Sequence, residues 1–114
     1  MSAVKLSRDA DKFLCVMYRE YLTRREHGVP KSEAGEFEEG LWRAFPELKN
    51  SISSDMDETV HELNDTGLFK EDICGNASLT KDGVIYMENR FKNGIQELTA
   101  FISQFASTAS ILLS

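Results

Sequence analysis

The feature that most constrains this sequence is an apolar stripe towards its C-terminal end. Val84, Met87, Phe91, Ile95, Leu98, Ile102, Phe105, Ala109 and Leu112 follow one another at steps of three and four, the repeat that lines one face of an α-helix. Ile85, Tyr86, Phe101 and Ile111 widen that face. Thr80 is placed to cap its start, and Asp82 falls in the first turn, where the helix dipole favours negative charge. Read as one long helix, the stripe outruns the core that a single domain of 114 residues can build. The economical expectation is a homodimer. The first half of the helix packs on its own domain, and Ile95, Leu98, Ile102, Phe105 and Leu112 meet a second copy. The chain then divides into a domain over residues 1–95 and a dimerising extension of the last helix over residues 96–114.

The remaining elements follow from the same periodicity. Ala10, Phe13, Leu14, Met17, Tyr18, Tyr21 and Leu22 mark an amphipathic first helix from Ser7, a natural N-cap, to Glu26, ended by Gly28 and Pro30. Phe37, Leu41, Trp42 and Phe45 predict a short second helix over Glu36–Phe45, with Glu36, Glu38, Glu39 and Arg43 on its charged face. A third helix opens at Ser53 and Ser54. Ser54 and Asp57 have the spacing of a capping box, Ile52 is placed to act as a staple, and Met56, Val60 and Leu63 are its apolar stripe. Gly67 stops it. The runs Leu68–Ile73 and Asn76–Thr80, split around Cys74 and Gly75, predict a small β-hairpin. The fold class is therefore mostly α with a small β-hairpin.

Charge and cysteine content narrow the setting. Two cysteines, Cys15 and Cys74, far apart and outside any metal-type spacing, read as reduced thiols of a cytoplasmic protein. The first twelve residues are charged and lack the apolar core of a secretory signal. Leu98–Ser114 carries no charge, but it is shorter than the ~20 strongly apolar residues of a membrane span and is interrupted by Ser103, Gln104, Ser107, Thr108 and Ser110. A membrane partner is not expected.

The order helix, helix, helix, hairpin, long helix is that of a winged helix-turn-helix domain, and two strings carry the likeness. His61–Phe69 resembles the end of a third helix stepping through Gly67 into a wing. Ser78–Arg90 is similar to the LTxxGxxYxE string that follows the wing in small bacterial winged-helix proteins, here Leu79, Thr80, Gly83, Tyr86 and Glu88. Over residues 7–95 the chain resembles small Firmicute and phage winged-helix proteins of the YjcQ type, and more distantly the MarR and PadR regulators. In such proteins the leucine completes the last wing strand and the threonine caps the next helix. The resemblance implies a DNA-binding regulator whose third helix enters the major groove.

The charge map opposes that docking mode. Residues 1–31 carry seven basic and four acidic groups, residues 32–72 three basic and twelve acidic, and residues 73–114 three of each, for a net charge of −6. The third helix offers Asp55, Asp57, Glu58, Glu62 and Asp65 with no Lys or Arg between Lys49 and Lys70. Phosphate contacts need cations, and base edges are read mainly by Arg, Lys, Asn and Gln. The reading that follows is a non-enzymatic regulatory or adaptor protein acting through protein–protein contacts, with a partner the sequence does not name. The alternative is a winged-helix transcriptional regulator that meets DNA through the basic end of its first helix, Arg24, Arg25, His27 and Lys31.

No chemistry competes with these readings. Glu58 and His61 stand one helical turn apart, a single pair where di-metal bundles use several. Cys15 follows the core positions Phe13 and Leu14 and has no base assigned to it, so the nucleophile–base arrangement is missing. No Gly-rich phosphate loop or HExxH string occurs. Trp42, Phe45 and Phe37 read as core. Neither catalysis nor a metal or other cofactor is expected.

Overall fold

The computed structural model describes residues 5–113, with side chains through Phe105. Helix α1, Arg8–Glu26, starts as expected at Ser7, whose hydroxyl accepts from the Ala10 N–H at 3.2 Å. It buries more than one stripe, because Phe13 through Tyr18 are all enclosed. Cys15 and Val16, off the predicted face, are as buried as Leu14. Neighbours on several sides account for this, since each of the other α-helices packs against α1.

The expected helix over Glu36–Phe45 does not form. The chain makes a four-residue helix α2, Lys31–Ala34, a strand β1, Glu36–Phe37, and a 3-10 turn, Leu41–Ala44. Gly40 stands in the left-handed region at φ 77°, which an α-helix does not tolerate, and Pro46 closes the far side. Glu36 and Phe37 pair instead with Ser78 and Ala77. The sheet thus takes up Glu36 and Phe37, while the N–H groups of Leu41, Arg43 and Phe45 donate locally, to the carbonyls of Glu38, Gly40 and Trp42.

Helix α3 runs Ser53–Thr66 and ends at Gly67, φ 79°, as the sequence predicted. Its start differs. Ile52 takes the cap position with no side-chain hydrogen bond, and at 66% exposure it staples nothing. Met56, Val60 and Leu63 are buried, joined by Thr59. The hairpin follows as strands β2, Phe69–Glu71, and β3, Ala77–Leu79, antiparallel with Phe69 opposite Leu79. With β1 the sheet has three strands in the order β1-β3-β2.

The long C-terminal helix is two helices, α4, Lys81–Arg90, and α5, Ile95–Leu113. Thr80 caps α4 through the Gly83 N–H at 3.0 Å. The stripe breaks at Phe91, and Gly94 takes φ 76° while its N–H donates to the Phe91 carbonyl at 3.0 Å. This turn sends α5 back along α1. Leu98 and Ile102, expected at a dimer seam, are 0% and 3% exposed within their own core. Ile95 and Phe105 are half-buried, and the side chain of Leu112 lies outside the described residues. Arg90 fixes the corner. It donates to both carboxylate oxygens of Asp11 on α1, at 2.9 Å through its second nitrogen, and lies 4.9 Å and 4.8 Å from the ring centres of Phe91 and Phe101.

Thr80 and Gly83 of the Leu79–Glu88 string are explained by one close crossing. The Thr80 N–H donates to the Leu68 carbonyl at 3.2 Å and the Thr80 hydroxyl to the Gly67 carbonyl at 2.6 Å. Helix α4 therefore starts against the turn that ends α3. A Cβ on Gly83 would lie 2.0 Å from the Leu68 carbonyl oxygen, so glycine is required there.

Candidate partner-binding surface

Five of the twelve acidic residues of the segment 32–72 line a cleft of about 280 Å³ between the 3-10 turn, α3 and the β2–β3 hairpin. Its floor is the outer side of the core, including Phe13, Phe37, Val60 and Phe69. The rings lock one another, with Phe13 edge-on to Phe69 at 5.3 Å and Phe37 stacked on Phe69 at 6.2 Å. Its mouth carries Glu38, Glu39, Asp57, Glu71 and Asp72.

Hydrogen bonds fix the Asp72 carboxylate and the backbone at Glu39 and Glu71. The Asp72 carboxylate accepts from the N–H groups of Cys74 and Asn76, at 2.9 Å and 3.0 Å, which shapes the hairpin tip. The Asn76 amide oxygen accepts from the Glu39 N–H at 3.3 Å, and that of Asn64 on α3 from the Glu71 N–H at 3.2 Å. Partial burial raises the pKa of the Glu71 carboxyl, and the charges of Asp57, Asp72 and Glu39 push it further the same way. The carboxylates at the mouth thus act on one another as like charges.

The one described cation lining the cleft, Arg43, lies over the Trp42 ring at 4.4 Å and reaches the Ser53 hydroxyl at 3.4 Å. Ile73 stands fully exposed at the rim, and Trp42 and Leu41 are half-buried.

The five acidic residues predicted on α3 separate. Asp57 enters the cleft. Asp55 faces a different groove, beside Asp9, Lys12 and Leu48. Glu58 is exposed, and Asp65 lies 3.7 Å from the ring of His61, its neighbour one turn away. Glu62 accepts from the Ser7 N–H at 2.8 Å and the Ser7 hydroxyl at 2.7 Å, so it anchors the start of α1 instead of facing a partner. Glu38, Glu39, Glu71 and Asp72, which complete the mouth, were missed as site residues. Their only signal was the excess of acid over residues 32–72. The strand and hairpin that bring them to Asp57 are a tertiary outcome.

The basic cluster is mostly engaged internally. Arg24 donates to Glu20 at 2.8 Å and to the Glu36 carbonyl at 2.6 Å, and lies over the Phe37 ring at 5.1 Å, so it ties α1 to β1. Arg25 donates to the Val29 carbonyl at 3.0 Å, and the His27 ring nitrogen Nδ1 lies 2.8 Å from the Thr23 carbonyl. Lys31 is exposed beside a second groove lined by Tyr21, Leu79, Val84 and Ile85.

Burial, with the Asp11 charge, pushes the Cys15 thiol up to about 12, and Cys74 is an exposed free thiol. Among the described residues no three His, Cys, Asp or Glu side chains gather to hold a metal ion, and no helix is long and apolar enough to cross a membrane. In comparisons with known proteins, the chain matches no family model, no curated protein and no solved structure.

Proposed function

We propose that this chain is a non-enzymatic winged-helix protein of the cytoplasm, a regulator or adaptor that binds a basic protein surface through α3 and the hairpin. The element order supports the winged-helix assignment. The hairpin β2–β3 follows directly on α3, β1 lies beside β3, and the Leu79, Thr80 and Gly83 positions each have a defined structural role. The observation that carries the function is the mouth of five carboxylates where a duplex-binding relative would present cations. Setting that face against phosphates brings like charges together without counterion release, whereas a basic protein surface gains from the same field.

We further propose a homodimer formed through α5. Its apolar demand is smaller than the full stripe implied, because Leu98 and Ile102 are already covered. The deciding experiment is a gel shift against mixed duplexes at low and moderate salt, with light scattering on the same sample. No duplex binding and a dimeric mass are the expected results. Salt-sensitive nanomolar binding would overturn the protein-partner reading, and a clean monomer at tens of micromolar would overturn the dimer.

A further inference from the structure

We propose that the cleft between the 3-10 turn, α3 and the hairpin takes a segment of a partner protein in which an apolar side chain stands next to arginine or lysine. This inference rests on the protein-partner reading and goes beyond it by naming the occupant. Three features of the cleft specify that chemistry. Its apolar lining open to an inserted aliphatic side chain is the half-buried Leu41 and Trp42, above interlocked phenylalanines that are themselves already buried. Its rim is acidic, with Glu38 and Glu39 from the segment after β1, Asp57 from α3 and Glu71 and Asp72 from the hairpin. A cation flanking the inserted side chain therefore meets opposite charge.

The third feature is the size. At about 280 Å³ the cleft lies at the lower edge of the ~300–1,000 Å³ typical of small-molecule sites. A single side chain fits it better than a whole metabolite. The exposed Ile73 extends the apolar strip beyond the mouth, where the rest of a peptide would lie.

Arg43 shows how a cation sits at this site. Its guanidinium covers the Trp42 ring at 4.4 Å, and both residues line the cleft. An arriving arginine would compete with it for the same ring face, because aromatic faces attract desolvated guanidinium groups. Arg43 thus acts as an internal competitor, and removing it opens the site to basic peptides. For a phosphate-bearing ligand the sign reverses, since loss of Arg43 removes the cation closest to the cleft.

Trp42 is the only tryptophan of the chain, so its emission reports the cleft directly. The test titrates the full chain and its Arg43→Ala variant with three capped peptides, followed by Trp42 fluorescence and by calorimetry. The first has one leucine between two arginines, the second a glycine between two arginines, and the third a leucine between two glutamates. The inference requires the arginine–leucine peptide to bind at least about tenfold more tightly than either control. It also requires Arg43→Ala to tighten that binding by about threefold, the scale of an exposed cation–π contact. Equal binding of the arginine–glycine peptide would overturn the inference and leave the acidic docking surface standing. Failure of both arginine peptides, with duplex DNA binding in their place, would overturn both. Weaker binding by Arg43→Ala would overturn the assignment of Arg43 as competitor, and with it the occupant proposed for the Trp42 face.

Discussion

Replacing Gly83 by alanine tests the packing of the whole hairpin region with one methyl group. In an exposed helix interior the change would stabilise, because alanine has the higher helix propensity by up to about 1 kcal/mol. Here the new Cβ would lie 2.0 Å from the Leu68 carbonyl oxygen, a backbone atom that no rotamer change can move aside. Relief requires α4 to draw away from the turn after α3. That motion stretches the Thr80 N–H bond to the Leu68 carbonyl, 3.2 Å, and the Thr80 hydroxyl bond to the Gly67 carbonyl, 2.6 Å. Overpacking costs about 1–3 kcal/mol, and two weakened hydrogen bonds add about 1 kcal/mol each at most. Set against the propensity gain, the net is about 2 kcal/mol of destabilisation. For a domain of this size that is a fall in Tm of about 10 °C, read by far-UV circular dichroism and checked by urea unfolding. Gly94→Ala is the control. It has open space within 4 Å but φ 76°, so it loses only the cost of a left-handed alanine, about 1 kcal/mol. A Gly83→Ala protein as stable as the parent, or more so, would refute the close crossing.

Three further outcomes are expected. Arg90→Met removes the clamp on Asp11 at the α4–α5 corner, two charge-assisted hydrogen bonds between side chains that are 26% and 19% exposed. It should cost about 2 kcal/mol in urea unfolding. Adding Asp11→Asn should cost little more, and additive losses would show that the two side chains do not act as a pair. Cys15, whose thiol is pushed up to about 12, should resist alkylation in the folded protein at mildly alkaline pH while Cys74 reacts. Intact mass should show one adduct in native buffer and two in denaturant, and two in native buffer would contradict the buried site. Glu71→Gln should be slightly more stable than the parent at neutral pH. The Glu71 carboxyl is raised in the folded state, so its charge opposes folding above that pKa and the opposition disappears as pH falls through it. The difference in urea midpoint should therefore shrink on acidification, and a difference that grows would reverse the sign assigned to Glu71.

Much of the architecture was legible in the residues. Local chemistry sufficed where a side chain or a glycine acts on its own backbone. Ser7 and Thr80 cap α1 and α4, and Gly67 ends α3, because each satisfies or releases hydrogen bonds within a few residues of itself. The hairpin was readable for the same reason. Its two apolar runs flank a turn that Asp72 and Gly75 can form alone.

What only the tertiary structure decided lies where two readings of one pattern have similar local cost. The spacing from Phe37 to Phe45 fits a helix, yet a strand wins because β3 offers hydrogen bonds to Glu36 and Phe37 and the Phe69 ring lies beside that of Phe37. The repeat from Val84 to Leu112 passes through Phe91 without interruption, and the local signal for a break is Gly94, which lies off the stripe. The break appears because folding back at Gly94 buries Leu98 and Ile102 against α1, which one straight helix would leave to another molecule. The acidic mouth has the same origin. Sequence showed that residues 32–72 are rich in carboxylates. The meeting of five of them around one cleft depends on contacts among β1, α3 and the hairpin, elements distant in the chain, and periodicity within each carries no information about which of them will touch.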